Sequence, residues 1–152
     1  MKRVSALLLL LCCLLAAGSA LAFTDLKGSV LTEDEKVYEA QSFRNLKYSF
    51  RCVYEGLERH IPMEQIASIE HTGSKNLGGS AIFTLKQSVE KALVTLKEGK
   101  VLEVELPPGF HPFEVLTDGS EGKLYFTIYD TISGANREVG IPYDTIVKLT
   151  LR

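Results

Sequence analysis

The chain has 152 residues, with 17 Lys and Arg against 19 Asp and Glu, a formal net charge of −2. This weak, dispersed acidity argues against a nucleic-acid surface, which is normally basic. It also offers no attraction to anionic lipid.

The N-terminus reads as a targeting segment. Lys2 and Arg3 precede an apolar run over residues 6–17, and Ala20 and Ala22 are the small residues a signal peptidase reads. The expectation is a signal peptide over 1–22, cleaved after Ala22, and a mature chain of 130 residues in the periplasm or outside the cell. Leu11, not a small residue, precedes Cys12, which speaks against lipidation. Without Lys2 and Arg3, 15 basic groups face 19 acidic ones. Cys52 is then the lone cysteine, so an internal disulfide is excluded and the fold must hold by its core. No later stretch is apolar and long enough to span a membrane. Asn45, Asn76 and Asn136 all fail the glycosylation sequon.

In chain order, "VLTEDEKVYEA" from Val30 is followed by "YSFRCVY" from Tyr48 and "IPMEQIASIEH" from Ile61. The Gly- and Ser-rich "TGSKNLGGS" reads as a linker over 72–80. From Ser88, the helical spacing of Val89, Leu93 and Leu96 predicts a short helical turn over 88–92, followed by a strand. "VTLKEGKVLEV" from Val94, "LYFTIYD" from Leu124 and "IPYDTIVKLTL" from Ile141 then match the three earlier segments in the same order, at spacings of 64, 76 and 80. An internal duplication is expected, with a first β repeat over 23–71 and a second over 81–152. The changing offset requires an insertion in the second copy near 107–122, around "PPGFHPF" and "TDGSEG".

The period inside each copy is two. Phe50, Cys52 and Tyr54 share one face, as do Leu102, Val104 and Leu106, and again Leu124, Phe126 and Ile128. One apolar face with turn signals between the runs marks half-buried antiparallel strands. Pro62 and Pro142 lack the donor a sheet ladder needs, so each ends a strand. A tight turn, one turn of 3₁₀ helix, is expected over 143–145, then a closing strand with Val147, Leu149 and Leu151 inward.

Strand, tight turn and closing strand, carried by "LKEGKVLEVEL", "KLYFTIYD" and "IPYDTIVKLTL", resemble the end of small SH3-like or Sm-like β-barrels. The resemblance implies an all-β chain of two tandem antiparallel barrel or sandwich-like repeats with short 3₁₀ or helical turns. It carries over no catalytic residue. The first copy departs from it in having an acidic hairpin without a glycine turn. A domain of about 60 residues buries only about 60% of its unfolded surface, so the two copies are expected to pack around one core.

The chemistry is sparse. Glu58, His60 and His71 are weak metal candidates, but no metal-ligand spacing joins them. Cys52 sits in an apolar strand, the place of an inert thiol. There is no nucleophile motif or phosphate loop, so neither an enzyme nor a cofactor is expected. The stretch from Pro107 and Pro108 through Phe110 and His111 to Phe113 is stiff and aromatic, which suits binding because little entropy is lost. The expectation is a non-enzymatic exported protein that binds a protein, peptide or envelope component through a sheet edge or this loop. The alternative is a small-ligand or metal-binding protein, or an enzyme, using a cleft between the repeats.

Overall fold

The computed structural model describes residues 26–77, 87–118 and 121–152. The leader reading, with Cys12 and Cys13, lies outside them, as do residues 78–80 of the expected linker. Eleven strands are described: β1 (Gly28–Thr32), β2 (Val37–Ala40), β3 (Ser42–Phe43), β4 (Ser49–Tyr54), β5 (Leu57–Pro62), β6 (Ile66–Leu77), β7 (Gln87–Leu96), β8 (Val101–Glu105), β9 (Lys123–Asp130), β10 (Ala135–Pro142) and β11 (Ile146–Leu151). Met63–Gln65 and Tyr143–Thr145 are 3₁₀ turns, and α1 (Pro112–Val115) is a single helical turn. No helix among the described residues is long and apolar enough to cross a membrane.

All pairing is antiparallel. One sheet runs β2-β1-β11-β6-β7-β8-β4-β5 and a second runs β10-β9-β3. Among the described residues neither sheet closes on itself, so these strands do not make up the closed barrels that the resemblance implied. The β11–β6 register is centred on Leu149 opposite Ile69, with Lys148 opposite Glu70 and Thr150 opposite Ser68. Ile69 and Leu149 are fully buried.

Both Ile-Pro segments follow the same path. Pro62 (φ −57°, ψ 133°) and Pro142 (φ −57°, ψ 138°) end β5 and β10, and a 3₁₀ turn with one buried residue, Met63 or Tyr143, leads into the next strand. In β11 the buried residues are Ile146, Leu149 and Leu151, while Val147 is half-buried. A register shift against β1, between Leu31 and Thr32, offsets the simple alternation that had put Val147 inward.

The hairpin turns follow local rules. Glu55 and Gly56 both have positive φ (53° and 75°), the two-residue turn whose twist suits a hairpin. In the β7–β8 turn Gly99 (φ 93°) donates to Leu96 O, and Leu96 donates to Lys100 O. The β1–β2 turn has the same bonds, Glu35 to Thr32 O and Thr32 to Lys36 O, but Glu35 (φ 62°) stands where the other turn has glycine.

Two readings of the chain are corrected. The predicted helical turn over 88–92 is part of β7, paired with β6 on one side and β8 on the other. Those two ladders satisfy the backbone and override the apolar spacing; Val89, Ala92 and Val94 are buried, whereas Leu93 and Leu96 are not. Residues 72–77, read as linker, continue β6, whose pairing runs out to Leu77 opposite Gln87. A register shift between His71 and Gly73 accommodates the glycine there.

One contiguous core serves both sheets, including Val30, Phe43, Phe50, Ile66, Val94, Leu106, Phe113, Phe126 and Ile146. Asn45, on the connection from β3 to β4, is fastened to β9 of the small sheet. It is buried, its Nδ2 donates to Lys123 O (2.9 Å), and its Oδ1 accepts from Tyr125 N (3.0 Å). Gly140 leaves room for the Tyr125 ring, since a Cβ there would sit 2.6 Å from Tyr125 Cε1. The Arg44 guanidinium lies 4.3 Å from the Tyr125 ring centroid.

Candidate binding groove

The 107–113 segment is rigid for reasons written in its residues. Phe110 N donates to Pro107 O (3.2 Å), and Gly109 has φ 83°. Pro108 followed by a left-handed glycine is the pattern of a type II turn. His111 is extended (φ −79°, ψ 145°), as a residue before proline prefers. It caps α1: its Nδ1 accepts from Phe113 N (3.4 Å), and Pro112 fills the first helical position. At the far end of α1, Thr117 Oγ1 lies 2.5 Å from Tyr143 Oη, joining this segment to the second 3₁₀ turn.

This geometry divides the five residues read as partner-facing. Phe113 is 0% exposed and belongs to the core, because α1 turns its ring inward. It is therefore not a surface residue. Phe110 is 43% exposed, Pro108 is exposed, and Pro107 and His111 are half-buried. Leu106 and Phe113, both buried, anchor the two ends of the loop.

Phe110 and Pro107 form one wall of a groove of about 360 Å³. Lys47 and the β4–β5 residues Ser49, Arg51 and His60 form the opposite wall, and Glu114, Val115 and Asp118 complete the lining. Among the described residues β5 is the last strand of its sheet, so the groove opens beside an edge strand. Arg51 is held by Glu58, with Nε on Oε1 and Nη2 on Oε2, both at 3.0 Å. His60 Nε2 lies 3.2 Å from Glu58 Oε1. The hydrogen bonds from Arg51 first, then from His60, hold the Glu58 carboxyl below its ordinary range.

The three metal candidates do not converge as a set. Glu58 meets His60, which lines the groove, whereas His71 belongs to a second cluster. There its Nε2 lies 2.6 Å from Glu90 Oε2, and its ring centroid is 4.7 Å from that of His111. Among the described residues no group of three or more His, Cys, Asp or Glu could hold a metal ion. Burial lowers the His111 pKa, and the His71 charge lowers it further, against the pull of Glu90, Asp144 and Glu114. Cys52 is fully buried, and desolvation pushes its thiol up to about 11.

Lys47, Arg51, Glu114 and Asp118 did not stand out in the sequence. The Glu55-Gly56 turn was the available signal for one of them. A two-residue hairpin there sets Arg51 opposite His60 and diagonal to Glu58.

No protein-family model matches the chain, and no curated protein sequence matches it.

Proposed function

We propose that the protein is an exported, non-enzymatic binding module that seats an extended segment of a partner protein in the groove between β5 and the 107–111 loop. The observation that carries this reading is Phe110, held half out of the surface on a stiff loop beside an edge strand. A free edge offers backbone hydrogen bonds to an added strand, and an exposed ring supplies the anchor that interfaces favour. Glu58, Arg59 and His60 along β5 discourage pairing between copies, since charge on an edge strand opposes unselected association.

The scaffold we propose is a tandem of two like units, each completed by the other's first hairpin. Strands β6-β7-β8-β4-β5 run consecutively in the large sheet. The matching set is β11-β1-β2, continued by β9-β10 in the small sheet, where Gln41 N donates to Thr127 O (2.7 Å). Hairpin β1–β2 thus serves strands from the second half, and β7–β8 serves strands from the first. The β6–β11 register supports a local two-fold axis through Ile69 and Leu149, which are matched positions at a spacing of 80. In this scaffold each unit keeps the SH3-like strand order, and the pairing of the units replaces closure of each barrel.

Phe110→Ala and Phe113→Ala test the groove. Truncating the exposed ring should change stability by less than about 1 kcal/mol, as at most surface positions. Truncating the buried one should cost about 3–5 kcal/mol. The partner, recovered by cross-linking and co-purification from the native cell envelope, should be lost with Phe110→Ala. Undiminished recovery with that variant would place binding elsewhere.

A further inference from the structure

The loop that carries Phe110 is held by one histidine, and that histidine can hold it in only one protonation state. His111 Nδ1 accepts the Phe113 N–H that starts α1, so this nitrogen must carry no proton. The ring is wedged between Phe113 (centroids 5.6 Å apart) and His71 (4.7 Å). His71 is tied in turn to Glu90 on β7, and both side chains are about three-quarters buried (25% and 23% exposed). A proton added to His111 has nowhere neutral to go. At Nδ1 it removes the cap acceptor, and on the ring as a whole it sets a cation against His71.

We propose that His111 is a proton-released latch: neutral, it caps α1 and fixes the 107–111 loop against the groove, and protonated, it frees that loop and withdraws the Phe110 wall. The inference rests on the binding reading above and adds its regulation. The acidic groups facing the ring are Glu90 on β7, Asp144 in the second 3₁₀ turn and Glu114 on α1. They favour the charged form, but burial first and His71 second outweigh them, so the folded imidazole titrates below its ordinary range. The sign follows. A histidine depressed in the fold takes up a proton more readily when released, so the latch holds at pH above about 6.5 and weakens as pH falls through the folded value.

The test is amide hydrogen exchange of the full chain between pH 7.5 and 4.5, with protection factors used to divide out the intrinsic pH dependence. The His111 Cε1–H resonance is followed in parallel. Protection at Phe113, Glu114 and Val115 should fall about fivefold to tenfold, the size of one lost helix cap, with the same midpoint as the His111 resonance. His111→Asn puts a capping residue without a titratable ring at this position. It should keep protection high and flat across the range. His71→Gln should move the His111 midpoint upward. Protection that stays level while His111 titrates, or that still falls with acid in His111→Asn, would overturn the latch. None of these readings involves a partner, so a failed latch and a failed binding site are distinguished: exchange and the His111 resonance report on the latch alone, and loss of the partner with Phe110→Ala at neutral pH reports on the site alone.

Discussion

At the scale of single residues, the molecule separates groups that look alike in the sequence. Phe110 and Phe113 stand three positions apart, yet one lies at the surface and the other is sealed, because the type II turn and the His111 cap turn the chain between them. The aromatic character of "PPGFHPF" was legible, as was the glycine turn. The inward turn of Phe113 was not, since it depends on packing against elements distant in the chain. Cys52 was legible as a buried thiol. Its alternation with Phe50 marks an inward face, and the structure buries it fully and raises its pKa to about 11 by desolvation. At pH 8 almost none is thiolate, the reactive form. Thiol labelling of the native protein at pH 8 should therefore be slow and become rapid only in denaturant. Fast native labelling would show that Cys52 is reached from solvent.

At the scale of elements, the two first hairpins have the same turn from different residues. Gly99 takes φ 93° without steric cost, whereas Glu35 takes φ 62° against the clash of its Cβ with its own backbone. The acidic turn looked in sequence like a departure from the second copy's pattern; its backbone bonds match those around Gly99 one for one. Lys36 Nζ and Thr32 Oγ1 both reach Asp34, holding its carboxyl down at about 2 and bracing the turn locally. Glu35→Gly should raise stability by about 0.5–1 kcal/mol, and Gly99→Ala should lower it by a similar amount. Denaturant midpoints of the two variants check the pair, and a destabilised Glu35→Gly would mean that the Glu35 side chain makes a contribution its backbone strain conceals. The Ile-Pro turns were legible because proline removes a donor wherever it stands. Strand β7 was misread because Val89, Leu93 and Leu96 happen to fall at helical spacing, and only the ladders to β6 and β8 decide between helix and strand.

At the scale of the whole molecule, strand content and antiparallel pairing were legible from period two, since a strand with one apolar face declares itself locally. The strand order was not. The chain's two halves interleave: β11 lies between β1 and β6, and β7 and β8 lie between β6 and β4. Such long-range pairing is set by which edges meet, which no local pattern encodes. It also shows how the described residues, among which Cys52 is a free buried thiol, are held together without a disulfide. A half with its hairpin lent to the other half has an open edge and an incomplete core, so neither half should persist alone. The most direct test is to prepare residues 23–80 and 81–152 as separate chains, at concentrations where each is monomeric, and to record thermal melts alone and mixed. The exchanged-hairpin account predicts no cooperative transition in either fragment and a single transition, close to that of the intact chain, after mixing. Two fragments that each melt cooperatively alone, with no change on mixing, would contradict it.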